Sequence, residues 1–235
     1  MKDPRIPRRD ALDAVLLDAG GVLVNPDWTR VAEVLSRHGV HVQAEALGRA
    51  EPAAKRQLDR GEVMEKTTDE SRAAGYFGLV LAGTGWTDPV SPAAWESLKA
   101  EHARRNLWRT VLPGVPEALS RLRAAGLRLA VVSNANGTVQ QLFDELELSP
   151  YFDVLLDSFV EGLEKPDPLL FERALLRLEA KPERTIHAGD FYHLDVVGAR
   201  RAGIAPVLID AAGLYDGADC PRVASLPELV DRLLA

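Results

Sequence analysis

Six polar residues stand out by where the chain puts them. Asp18 closes the apolar run Ala14-Val15-Leu16-Leu17 and is followed by Ala19-Gly20-Gly21. Ser133 and Asn134 close a second run, Leu127–Val132. Asp190 follows Gly189 at the end of a third, Thr185–Ala188, and Asp195 comes shortly after it. Lys165 precedes Pro166-Asp167-Pro168, whose two prolines stiffen the approach to the next segment and so fix where the ammonium points. A carboxylate is a poor nucleophile in water, and it becomes a useful one when desolvated and aimed in line with an electrophile. A buried strand end supplies that aim for Asp18. The Ser133 hydroxyl and the backbone N–H groups after it can donate to an anionic oxygen. Plainer readings exist for each. Asp18 can cap the turn at Gly20 and Gly21, Ser133 can N-cap a helix starting near Asn136, and Lys165 can be a solvated surface lysine. Asp195 can complement a helix N-terminus. Chemistry is favoured because several of them share one kind of place, the carboxyl end of an apolar run.

The elements that must hold them follow from periodicity. Ala14–Leu17 reads as a buried strand, Val22-Leu23-Val24 as a short flap-like strand, and Asn25-Pro26 ends it. From Trp28 to about Trp108 the pattern is helical. Val31, Val34 and Leu35 share a face, and segments near 43–60, 65–82 and 93–108 read as helices broken at Gly83-Thr84-Gly85 and Asp88-Pro89. After Leu112-Pro113-Gly114, helices near 115–125, 137–146, 167–179 and 194–202 alternate with strands at Leu127–Val132, Val154–Leu156, Thr185–Ala188 and Pro206–Ile209. Alternation of that kind predicts an α/β fold, a Rossmann-like parallel sheet with helices on both faces. Residues 1–25 and 110–235 form this core, and 26–109 is an inserted all-helical unit. In an open sheet ligands bind at the carboxyl edge of the strands. A unit inserted after the first strand would lie over that edge as a cap and exclude water.

Composition bounds the function. The chain has 235 residues, enough for a sizeable core, with 46% hydrophobic and 27% charged residues, which is ordinary globular composition. A formal net charge of −7 argues against broad nucleic-acid or anionic-membrane binding, since both need a basic face. It leaves room for a small anionic substrate met by a few local cations. A single cysteine, Cys220, excludes an intrachain disulfide framework and a Cys-rich metal site. Lys2, Arg5, Arg8 and Arg9 precede an apolar run, but Asp13 and Asp18 interrupt it too soon for a secretory signal. No run of about 18 apolar residues is present. The expectation is a cytoplasmic protein with a small-molecule substrate.

Four elements in order carry a resemblance: Leu16-Leu17-Asp18-Ala19-Gly20-Gly21-Val22-Leu23, Val131-Val132-Ser133-Asn134, Lys165-Pro166-Asp167-Pro168, and His187-Ala188-Gly189-Asp190-Phe191-Tyr192-His193-Leu194-Asp195. Together they resemble the haloacid dehalogenase-like hydrolase superfamily, in its branch with a helical cap after the first strand. The resemblance implies a Mg²⁺-dependent phosphatase. It makes Asp18 the nucleophile and has Ser133 and Asn134 bind a phosphoryl oxygen. It makes Lys165 the group that neutralises nucleophile and transferring phosphoryl, and Asp190 a Mg²⁺ ligand alongside Asp18 and the carbonyl of Gly20. Asp195 is then a second acid near the metal or the lysine. Hard oxygen donors suit Mg²⁺ when phosphate and water complete its shell. His187 reads as a packed strand residue, and neither Tyr192 nor His193 is assigned a ligand role.

One position departs from the pattern. Phosphatases of the family carry a second Asp two residues after the nucleophile, and here that residue is Gly20. Its carbonyl can still serve a metal, but it has no carboxyl to protonate a leaving group or activate water. Three readings follow. The first is a phosphatase that is slow, prefers good leaving groups or borrows an acid, Asp27 being one candidate. The second is a haloacid dehalogenase, which needs no leaving-group proton, although Gly189-Asp190 is the phosphatase form of the last motif. The third is a weakened core that binds a phosphorylated ligand without turnover. Arg30, Arg49, Arg56 and Arg60 are candidates for anion contacts, or for solvated helix faces.

Overall fold

The computed structural model describes residues 6–59 and 69–235, with the backbone alone for 69–74. The expectations for Lys2, Arg5 and Arg60, and for the start of the helix near 65, fall outside the described residues. The chain divides into two compact units, one formed by the chain up to Val24 with Val111–Ala235, the other by Asn25–Thr110.

The first unit is built on a six-stranded parallel sheet. Its strands are β1 (Ala14–Leu17), β4 (Arg128–Ser133), β5 (Val154–Asp157), β6 (Thr185–Gly189), β7 (Ala205–Ile209) and β8 (Arg222–Val223), in the order β5-β4-β1-β6-β7-β8. All four residues of β1 and all five of β6 are buried, as strands covered on both faces must be. Register sets the site. Leu17 pairs with Val131 on one side and Ala188 on the other, so Asp18 lies level with the residues just before Ser133 and Asp190. The Asp18 N–H extends the ladder by donating to the Ala188 carbonyl at 2.9 Å. Because the chain runs outward through β4 and β5 and then returns to β6 on the other side of β1, the carboxyl edge at β1 is a topological switch point, where such sheets bind ligands.

Helices close both faces. The helix Pro168–Leu178 buries Leu170, Phe171, Ala174, Leu175 and Leu178, spaced along one stripe, against Leu16, Ala130, Val132 and Leu156. Asp167 starts it by accepting from the Leu169 N–H at 2.9 Å, with Pro168 at the first helical position. Val115–Ala124 and Leu226–Leu234 pack on each other. Val139–Glu145, Ser158–Glu161 and Val197–Arg201 are further α-helices of this unit. Ser158–Glu161, Leu226–Leu234 and β8 have no counterpart in the sequence reading.

The second unit holds the helices Trp28–Ser36, Ala44–Leu58, Asp69–Gly83 and Pro92–Arg104. Asp27 and Ser91 cap the first and last of these by accepting from Arg30 and Ala94 N–H groups. A Cβ on Gly83 would sit 2.9 Å from that of Ala50, so its absence lets Ala44–Leu58 and Asp69–Gly83 approach closely. Tyr76 and Phe77 pack on each other and each on Trp28 and Trp108, with ring centroids 5.2–6.3 Å apart.

Two expectations need correction. The stretch 26–109 is not wholly helical, because β2 (Val24–Pro26) pairs with β3 (Trp108–Val111) in a small two-stranded sheet. The helix expected to reach 108 ends at Arg104, where side chains intercept the next N–H groups: His102 Nδ1 accepts from Leu107 N at 3.1 Å and Asn106 Oδ1 from Trp108 N at 2.8 Å. The flap strand is also shifted. Residues 21–23 form a turn, with Gly21 in the left-handed region at φ 73°, and the strand begins at Val24. Among the described residues no helix is long and apolar enough to cross a membrane.

Candidate active site

Asp18, Lys165 and Asp195 form one buried ionic cluster at the carboxyl edge. Lys165 Nζ lies 2.8 Å from Asp18 Oδ1 and 2.7 Å from Asp195 Oδ1. The lysine is 2% exposed, so the solvated reading fails. Its backbone is held as firmly as its tip. The Lys165 N–H donates to Asn134 Oδ1 at 2.8 Å, and Asn134 Nδ2 donates back to the Lys165 carbonyl at 3.1 Å. The Asn134 amide therefore positions Lys165, which leaves its backbone as the part able to face a ligand.

Asp195 reaches the lysine through a wide, π-type turn over Tyr192–Val196. Its Oδ1 also accepts from His187 Nε2 at 2.9 Å, and its Oδ2 from the Phe191 N–H at 2.9 Å. Gly189 makes the room: a Cβ there would overlap the Asp195 carboxylate. Burial alone would pull the Lys165 ammonium down, but Asp18 and Asp195 raise it well above its ordinary value. Burial would raise Asp195, yet Lys165 and His187 hold it far below the usual carboxylate range. For Asp18 burial dominates and pushes the carboxyl up against the pull of Lys165, with Asp195 adding to the rise.

Ser133 is buried at the end of β4, beside Asp157 at the end of β5. The loop after it is bolted down. Ala135 N donates to Ser158 Oγ at 3.0 Å, while Gly137 N and Val139 N donate to the Asp157 carboxylate at 2.9 and 3.2 Å. These N–H groups are engaged within the protein, so of the donors expected after Ser133 they are not the ones a ligand can use. The helix after them starts at Val139, and Ser133 does not cap it. Asp190 is buried, and the Tyr215 hydroxyl donates to its carbonyl at 3.4 Å.

One oxygen each from Asp18, Asp190 and Asp195 lies within 4.8 Å of the others. An all-carboxylate donor set fits a hard cation such as Mg²⁺ rather than a soft one. The Asp195 oxygens already serve three donors, which leaves Asp18 and Asp190 as the better ligands. Gly20, the expected carbonyl ligand, makes a bridge to Val24 and is not in the left-handed region.

Other candidates are placed elsewhere. Arg30 is engaged by Glu101 and Glu33, both at 2.9 Å, Arg56 donates to the Asp59 carbonyl, and Arg49 is exposed. The Asp27 carboxylate caps a helix. The Tyr192 hydroxyl donates to Asp219 at 2.7 Å. Sequence reasoning missed Asp157, although it ends a strand as Asp18 does, and it read His187 as packing alone.

A doubly wound α/β unit with a buried carboxylate–lysine cluster at its switch point defines the class: its ionisable groups stand where such sheets bind ligands. The chain belongs to the haloacid dehalogenase-like hydrolases, whose family model matches residues 12–203, and it is a hydrolase. It is 31% identical over 216 residues to the haloacid dehalogenase-like hydrolase domain-containing protein 3 of Bos taurus, covering 88% of this chain and 85% of that one. It is 29% identical over 200 residues to the glyceraldehyde 3-phosphate phosphatase of Methanopyrus kandleri, covering 84% of each. Its fold matches a HAD-hydrolase of Bacillus subtilis solved bound to magnesium, with a TM-score of 0.70 at 18% identity over 97% of this chain and 99% of that one.

Proposed function

We propose that the chain is a Mg²⁺-dependent phosphatase acting on a small phosphorylated metabolite. The observation that carries this is the buried Asp18–Lys165 contact of 2.8 Å at the sheet's carboxyl edge. The similarity to a glyceraldehyde 3-phosphate phosphatase over most of both chains supports it. In this reading an Asp18 carboxylate oxygen attacks phosphorus, the P–O bond to the leaving group breaks with its electron pair, and an aspartyl-phosphate forms. Water then attacks that phosphorus, releasing phosphate and restoring Asp18. Lys165 and the Ser133 hydroxyl donate to oxygens that gain charge. A Mg²⁺ held by Asp18, Asp190 and the Gly20 carbonyl would supply positive charge that keeps Asp18 ionised and offsets charge on the phosphoryl group. The unit 25–110 acts as the cap that excludes water and selects the substrate, and the protein works in the cytoplasm.

A haloacid dehalogenase is the second reading, favoured by the lack of a carboxyl at Gly20, since halide departs without a proton. A substrate panel of phosphate esters and 2-haloacids, with and without Mg²⁺, decides between them. Phosphate release abolished by chelation is expected. Halide release unaffected by chelation would overturn the phosphatase, and no turnover of either class would point to a ligand-binding protein.

A further inference from the structure

His187 is the one titratable side chain in the apolar strand Thr185–Gly189, and it is fully buried. An imidazole buried without a partner is costly, so its environment states what it is for. The Phe171 ring stands edge-on to it at 4.9 Å, and Nδ1 has no hydrogen-bond partner. Phe171 also fills the space over Gly198, where a Cβ would lie 2.6 Å from the ring and 3.2 Å from Pro166 Cα. The ring is thus clamped with one productive atom, Nε2, which donates to Asp195 Oδ1 at 2.9 Å.

That oxygen is the one that also receives Lys165 Nζ, and Lys165 Nζ in turn meets Asp18. A core histidine satisfied by a backbone carbonyl would say nothing about the site. Here the partner is the carboxylate that holds the site lysine. We propose that His187 is a positioning residue: it fixes the Asp195 carboxylate so that the Lys165 ammonium is presented to Asp18 in one geometry. The role in catalysis rests on the reading of Asp18 as nucleophile. Without the Nε2 donor, Asp195 Oδ1 keeps only the lysine, its carboxylate is anchored to the fold by the Phe191 N–H on Oδ2 alone, and it can tilt about that contact and carry Lys165 with it. Misplacement on the order of 1 Å near a reacting centre can cost about 10²-fold in rate.

The test uses the full chain with p-nitrophenyl phosphate and Mg²⁺. His187→Leu removes the donor, His187→Gln places an amide N–H near the position of Nε2, and His187→Asn carries the same amide too short to reach. The expected result is a kcat about tenfold lower in the Leu and Asn variants with KM changed less than about twofold, and recovery of most of the loss in Gln. Unchanged kcat in the Leu variant overturns the proposal. So does equal loss in all three that follows their melting temperatures. A second readout does not depend on turnover. In wild type labelled with ¹⁵N-histidine, a slowly exchanging proton on His187 Nε2 is expected, its shift altered by Asp195→Asn. A proton on Nδ1 alone overturns the proposal. A wild type without phosphatase activity that still shows the Nε2 proton would sink the phosphatase reading and leave the His187–Asp195 contact standing.

Discussion

Asp18 has Lys165 as its close cation, and Lys165 has a second carboxylate in Asp195 to fall back on. Asp18→Asn therefore removes the attacking anion without stranding the lysine. Turnover is expected to fall at least about 10³-fold while the circular dichroism spectrum is kept. Retained turnover would mean that water attacks the substrate directly. Two residues on, Gly20 offers no acid, and a positioned acid/base is worth about 10²–10⁴ in rate. Aryl and acyl phosphates leave without a proton and should be the better substrates. Gly20→Asp is expected to raise alkyl phosphate turnover toward that range and aryl turnover much less. The backbone permits the change, because the left-handed conformation belongs to Gly21. A rate series on both leaving-group types checks it, and fast alkyl turnover by the wild type would reveal a substitute acid. Asp18, Ser133, Lys165, Asp190 and Asp195 were legible as candidates because apolar runs and prolines frame them. Their partnerships were not: Lys165 meets Asp195 across 30 residues and Asn134 across 31, and nothing local encodes such a pairing.

At the scale of elements, the end of β6 is where the sheet and the site compete for space. The Asp195 carboxylate occupies the place of a side chain at Gly189. Gly189→Ala is expected to push Asp195 off Lys165, lowering kcat and destabilising the fold by about 1–3 kcal/mol, as overpacking does. In a chain of this size that is about 2–4 °C of melting temperature per kcal/mol. Gly78 provides the contrast. It lies within Asp69–Gly83 with open space around its missing Cβ, so Gly78→Ala should stabilise by about 0.5–1 kcal/mol. Thermal melts of both variants check the pair, and equal effects would refute the steric argument. The parallel sheet itself was readable, because each inner strand is a short apolar run buried on both faces. β3 was not, since Trp108-Arg109-Thr110-Val111 is only partly buried and shows neither a run nor an alternation. Ser158–Glu161 and Arg222–Val223 are too short to show a period, whereas Leu226–Leu234 carried a readable stripe and a Ser225 cap that were passed over.

At the scale of the whole molecule, each unit has its own ionic tie, and acid should act on them differently. In the first, Arg184 forks onto Asp13 at 2.7 and 2.8 Å, at the amino ends of β6 and β1. It holds the Asp13 carboxyl below its ordinary value, but the pair is open to solvent and contributes little. In the second, the mostly buried Glu101 joins two helices, accepting from Arg30 Nε at 2.9 Å and from Arg104 of its own helix at 2.7 Å. Arg30 was a candidate anion contact by type, and a partner 71 residues away turns it to structure instead. These hydrogen bonds hold Glu101 down at about 2 against an ordinary 4.5. A carboxyl whose folded pKa is depressed adds stability above its unfolded pKa and loses it as pH falls through the folded one. The contribution of Glu101 is therefore complete above about pH 4.5 and gone near pH 2. All four tryptophans, Trp28, Trp86, Trp95 and Trp108, lie in this unit, so their fluorescence reports on it alone. Melts followed by tryptophan emission should show wild type above Glu101→Gln at pH 6, with the gap closing as the pH is lowered from 4.5 to 2. Coincident melts at every pH would mean that the Arg30–Glu101 tie does not stabilise the inserted unit, leaving its aromatic cluster to hold Trp28–Ser36 in place.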